Sequence, residues 1–159
     1  MPGSRNLLVV HHSRAGTTMR LVERAVAGVG QARDDPQARS GLRVLDAFDA
    51  GPEDVRWCGG LLLATPARFG YMSGALKDFF ERVYHPCLEA TVGLPYALMV
   101  KGDTDVDGAV ASVERITTGL RWRRVLPPLT VVGDLADADL EAAAELGATM
   151  AAGLDAGIF

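Results

Sequence analysis

Residues 11–18, His-His-Ser-Arg-Ala-Gly-Thr-Thr, join an apolar run at 7–11 to a helical pattern. Small and hydroxyl side chains where a buried strand enters a helix suit the capture of an anion. The first turn of a helix offers unpaired N–H groups and about half a positive charge. Gly16 lets backbone approach a ligand closely, and Ser13, Thr17 and Thr18 add hydroxyl donors. Such a cradle needs no lysine, although Arg14 stands beside it and Ala15 leaves it room. The G-x-G-x-x-G of a dinucleotide site and the G-K-[ST] of a P-loop are both absent. A plain helix start capped by Ser or Thr would look the same from this loop alone. His11 and His12 read more readily as hydrogen-bonded scaffold at a strand end than as catalysts.

The elements that position this loop alternate along the chain. Apolar runs stand at 7–11, 42–48, 59–65, 96–100 and 129–132. Between them, apolar residues recur at i, i+3, i+4, i+7: Val22, Ala25, Val26, Val29; then Leu76, Phe79, Phe80, Val83; then Ala109, Val113, Ile116, Leu120. Leu140, Ala143, Gly147, Met150 and Leu154 stripe a last helix, with Asp137 as a plausible N-cap. Residues 32–41, with Pro36 and Gly41, read as a loop. Strands apolar on both faces and separated by helices predict a parallel sheet inside an α/β sandwich. Arg43 marks the second strand as an edge. Ligands of such sheets bind beyond the carboxyl ends of the strands, which selects the loops at 12–18, 65–73 and 101–107.

Composition is compatible with one domain, 1–159: 48% of residues are hydrophobic and 23% charged. The formal charge of −4 argues against a nucleic-acid partner, and no apolar run has the length of a membrane span. Cys58 and Cys87 lack metal-ligand spacing, so no metal site is expected. They read as reduced, packed thiols of a cytoplasmic protein. The arginines of 121–128, Arg-Trp-Arg-Arg-Val-Leu-Pro-Pro, read as cations at a helix C-terminus rather than as a binding patch.

Residues 65–82, TPARFGYMSGALKDFFER, carry a resemblance. The pattern T-P-x-R-F-G-x-M-S-G-x-L-K-x-F resembles the flavin-contacting loop of flavodoxin-like NAD(P)H:quinone oxidoreductases and related FMN reductases. The stretch HSRAGTT is similar to the phosphate loop of the same superfamily. The resemblance implies a flavodoxin-like three-layer sandwich, with a five-stranded parallel sheet of order 2-1-3-4-5 and helices on both faces. It implies FMN as cofactor and NAD(P)H as electron donor, with a quinone or similar small molecule as acceptor. Dimers or tetramers are common among such proteins.

Under that resemblance the cofactor contacts fall on the first loop and on Pro66, Ala67, Arg68, Phe69, Gly70, Tyr71 and Met72. Pro66 stops the strand, and Gly70 leaves room for a flat ring edge. Backbone N–H groups near Phe69 and Gly70 would meet the flavin, with Tyr71 and Met72 as apolar surface beside it. Arg68 would favour the negative charge of reduced flavin: a cation ~5.5 Å away contributes about 3 kcal/mol at an effective dielectric of ~20. In the third loop, Lys101, Gly102 and Asp103 would complete the site. This loop departs from the family in carrying Asp103, Asp105 and Asp107 and no aromatic ring. That departure suits two other readings: a single-electron carrier between proteins, and a domain of this fold that has lost FMN. No side chain is assigned as acid or base.

Overall fold

A computed structural model describes residues 4–14, 16–35 and 41–159. The chain runs β1 (Leu7–His11), α1 (Thr17–Ala32), β2 (Leu42–Asp46), α2 (Pro52–Trp57), β3 (Gly60–Pro66), α3 (Gly74–Cys87), β4 (Pro95–Gly102), α4 (Val106–Gly119), β5 (Arg123–Arg124), β6 (Leu129–Val132) and α5 (Asp137–Asp155). All strand pairings are parallel, in the order β2-β1-β3-β4-β5, with β6 also on β4. The predicted order therefore holds, but its last position is shared by two strands. β5 pairs with Pro95 and Tyr96, and β6 pairs with Met99 to Gly102. Between them lie Pro127 and Pro128, which lack the N–H that a continuous strand would need.

Alternation along the central strands divides the core into two layers. Leu8, Val10, Leu61, Leu63, Leu98 and Val100 face α2, α3 and α4. Leu7, Val9, Leu62, Ala64, Ala97 and Met99 face α1 and α5. β1, β3 and β4 thus bury both faces, whereas β2 is half-buried throughout. Arg43 on that edge donates to Asp54 at 3.0 Å and stacks on Trp57.

Three expectations need correction. A short helix, α2, stands between β2 and β3, where no helix was expected. Its start is fixed by Asp54, whose carboxylate accepts from the Gly51 amide. The basic stretch does not end a helix: α4 stops at Gly119, Arg121 takes φ +58°, and Arg123 and Arg124 enter β5. Finally, Ala136 rather than Asp137 caps α5, because the Asp139 carboxylate reaches back to the Ala136 amide. Residues 36–40 of the expected loop lie outside the described residues.

Cys58 and Cys87 are buried and outside any disulfide, as expected. Burial pushes the Cys58 thiol up to about 12, so its thiolate is scarce near neutrality. Among the described residues no helix is long and apolar enough to cross a membrane.

Candidate functional site

The three expected loops meet at the carboxyl ends of β1, β3 and β4. Ser13, Arg14, Thr17 and Thr18 face Pro66, Ala67 and Arg68, and Lys101, Gly102 and Asp103 close the third side. They enclose a cleft of about 110 Å3. It lies at the point where strand order reverses, since β1 is followed in sequence by β2 on one side and by β3 on the other.

At the mouth of α1, Gly16 holds φ +82° and caps the helix without any side-chain bond. Ser13 does part of that work from outside the helix: its Oγ accepts from the Met19 amide at 3.2 Å. Because that oxygen is already an acceptor, its own hydrogen is left to donate outward. The amides of Thr17 and Thr18 make no hydrogen bond among the described residues. Thr18 is buried yet lines the cleft. A buried hydroxyl and two open amides at a helix N-terminus are the kind of donors that suit an anion. Ala15 lies outside the described residues.

Across the cleft, β3 runs into a tight turn. Arg68 and Tyr71 exchange backbone bonds at 2.8 and 2.9 Å, and the two residues between them have positive φ: Phe69 +51°, Gly70 +68°. That is the pattern of a type I′ hairpin turn. For phenylalanine this backbone costs about 1 kcal/mol or more. The ring of Phe69 is fully exposed, and the amides of Phe69 and Gly70 make no hydrogen bond among the described residues. The positive φ of Gly70 favours glycine, and a Cβ there would come within 2.9 Å of Asp105 Oδ2.

The turn is fastened from below. The Met72 amide donates to Ser112 Oγ at 3.1 Å, and the Ser73 amide donates to Thr65 Oγ1 at 2.9 Å. These bonds roll the chain inward after Tyr71. Met72 is consequently 2% exposed and packs in the core. Its side chain offers no surface to the cleft, unlike the expected role. Tyr71 remains exposed. Phe69, Gly70, Tyr71, Met72 and Gly16 stand outside the cleft lining, whereas the other expected contacts, Ala15 aside, are gathered in it.

Arg14 and Arg68 form no ion pair among the described residues. Lys101 is held by Asp103 at 3.0 Å. Asp105 caps α4, accepting from the Gly108 amide at 2.9 Å, so one of the three acids in this loop has a structural task. No cluster of metal-ligating side chains exists among the described residues.

His12 Nδ1 lies 3.3 Å from Asp46 Oδ2, and the His12 ring stands edge-on to Phe48. Asp46 also accepts from the Phe48 amide. This agrees with a scaffold role for His12, through a partner on β2 that the sequence did not single out. His11 Nδ1 is buried with no partner among the described residues. Burial lowers the His11 pKa, Asp46 opposes that shift, and His12 adds to it. A histidine kept neutral in the fold stabilises it above the unfolded pKa of about 6.5, and that stability is lost as pH falls. The midpoint of urea unfolding should therefore decline between pH 7.5 and 5.5. His11→Gln should flatten that decline, and an unchanged slope would show that other groups cause it.

No family model matches the chain. A flavodoxin of Aquifex aeolicus (strain VF5) is 32% identical over 77 residues, covering 48% of this chain and 39% of that protein. The match thus spans about two fifths of the curated relative's length. Among solved structures, a flavodoxin from the domain Archaea superposes with a TM-score of 0.78 at 14% identity, over 94% of this chain and 99% of that one. A WrbA-like flavodoxin from Agrobacterium tumefaciens gives 0.76 at 18% identity, over 95% and 98%. The flavodiiron protein from Giardia intestinalis also gives 0.76 at 18%, with 97% of this chain on 37% of that one. With superpositions that cover nearly the whole length of this chain and of two of these neighbours, the fold of this chain is flavodoxin-like.

Proposed function

We propose that the chain binds FMN and works as an oxidoreductase, taking reducing equivalents from NAD(P)H and passing them to a quinone or a similar small acceptor. One observation carries the cofactor reading: the open amides of Thr17 and Thr18 belong to residues that line the cleft, and the open amides of Phe69 and Gly70 stand on the turn that follows its lining residue Arg68. The first set suits a phosphate and the second suits the polar edge of a flat ring. Ser13, Thr17 and Thr18 would hold the phosphate, with Arg14 adding charge. Phe69 and Gly70 would present their amides to the ring, and Tyr71 would lie beside it. FMN, when bound, supplies the hydride chemistry.

Arg68 is this chain's own lever on that chemistry. It is exposed and unpaired among the described residues, so solvent screens it below the full Coulomb value. Arg68→Gln should make the two-electron midpoint potential of the FMN-loaded protein more negative by about 30 mV, the equivalent of ~1.4 kcal/mol. A potential unmoved by the change removes Arg68 from this role.

A second reading, a flavodoxin-type electron carrier, is favoured by the exposed acids Asp103, Asp105 and Asp107 beside the turn. They would disfavour a flavin anion. Anaerobic addition of NADPH or NADH to the FMN-supplemented protein separates the two. Rapid bleaching of the yellow colour is expected for the reductase. Failure to bleach, with one-electron reduction by a chemical donor, supports the carrier. A protein that stays colourless after FMN supplementation overturns both.

A further inference from the structure

A cavity of about 420 Å3 opens at the amino-terminal edge of the sheet, the pole opposite the cleft. It lies between the starts of β3 and β4 and the end of α5. Its floor is apolar: Leu94 and Leu154 are nearly buried, and the Phe159 ring lies against Gly153. Stretches of its wall carry no side chain. At Gly59 a Cβ would overlap the Ser4 carbonyl, and Gly93 takes φ +80°.

Two arginines line this cavity, Arg5 from the segment before β1 and Arg123 from β5. Neither forms an ion pair among the described residues. Other arginines at this end are matched: Arg33 with Asp155, Arg121 with Glu89, Arg124 with Glu114. Asp155 is the one acidic side chain in the lining, and both its oxygens are taken by Arg33, at 3.1 Å each. The carbonyls ending α5 are also engaged, Gly153 by the Ile158 amide and Leu154 by the Gly157 amide. The cavity therefore joins two arginines, without an ion pair among the described residues, to the apolar side chains of Leu94, Leu154 and Phe159.

We propose that this cavity is a second binding site, taking a phosphate monoester with an apolar body. The arginine fork matches phosphate oxygens in paired hydrogen bonds, and two such cations balance a dianionic head. The body would rest on Leu94, Leu154 and Phe159. A reporter is built into the wall: Trp122 Nε1 donates to Thr91 Oγ1 at 2.9 Å, and Thr91 lines the cavity.

The test uses 1-naphthyl phosphate as probe, with calorimetry for affinity and the Trp122 indole N–H resonance for location. That resonance is identified by its persistence in Trp57→Phe. Saturable binding that shifts the Trp122 signal is expected, weakened roughly tenfold by either Arg5→Gln or Arg123→Gln. Inorganic phosphate and 1-naphthol should each bind at least tenfold less tightly, because each lacks half of the ligand. The double variant Ser13→Ala/Thr18→Val should bind the probe like the parent. Absence of saturable binding overturns the proposal. So does affinity indifferent to both arginines, or affinity lost in the double variant, which would move the probe to the α1 mouth. Both arginines are exposed, and circular dichroism of the variants confirms that they fold.

Discussion

Ser13→Ala combined with Thr18→Val is expected to weaken FMN binding at least a hundredfold while leaving the weaker affinity for riboflavin nearly unchanged. The Ser13 oxygen accepts from the Met19 amide, which orients its remaining hydrogen away from the helix. Thr18 is 3% exposed and yet reaches the cleft, so its hydroxyl works where water competes little. Each hydrogen bond to a charged group is worth about 1.5–3 kcal/mol. Losing two therefore exceeds the ~2.7 kcal/mol that corresponds to a hundredfold. Riboflavin lacks the phosphate, so it isolates that interaction from the seat of the ring. Quenching of flavin fluorescence measures both affinities. An FMN affinity within threefold of the parent would show that this loop holds no phosphate. An equal loss for riboflavin would show instead that the fold of the site has been damaged. Ser13→Ala alone should also lower the thermal midpoint modestly, since the Met19 amide loses its acceptor.

The fold was readable wherever apolar pattern and burial coincide. β1, β3 and β4 are buried on both faces, so their runs stand out, and Arg43 marks the edge that β2 occupies. What escaped was short or polar. α2 has six residues and buries only Val55, too little for a helical period to register. β5 has two exposed arginines, and nothing in their chemistry distinguishes a strand from a helix end. The position of the cleft followed from topology, but the aim of individual side chains did not. Met72 looks like ring-facing surface by residue type. Hydrogen bonds to Ser112 and Thr65, from distant parts of the chain, turn it inward. The turn itself left a partial trace: Gly70 hints at positive φ, whereas nothing in the letter of Phe69 reveals that it shares that conformation. The cavity at the opposite pole left none, because its walls come from stretches far apart in sequence.

Gly147→Val should lower the free energy of unfolding by about 3 kcal/mol. α1 and α5 pack side by side, and their approach depends on two glycines that face each other's backbone. A Cβ at Gly147 would overlap the Ala25 carbonyl, and one at Gly28 would overlap the Ala144 carbonyl. The obstacle in both cases is main chain, which cannot rotate aside as a side chain can, so the helices must separate. Separation opens the layer that holds Leu21, Val22, Val29 and Met150. Overpacking a well-fitted core typically costs 1–3 kcal/mol, and displaced backbone places this site at the upper end. The gain in helix propensity on replacing glycine, under about 1 kcal/mol, does not offset it. At roughly 2–4 °C per kcal/mol for a chain of this size, the thermal midpoint should fall by about 10 °C. Gly74→Ala supplies the contrast: Gly74 opens α3, is exposed, and has open space where its Cβ would go. That variant should match or slightly exceed the parent in stability. Equal midpoints for Gly147→Val and Gly74→Ala would mean that α1 and α5 are not locked by backbone contact. The mouth of α1 would then be free to shift, and a rigid anion cradle there would lose its physical basis.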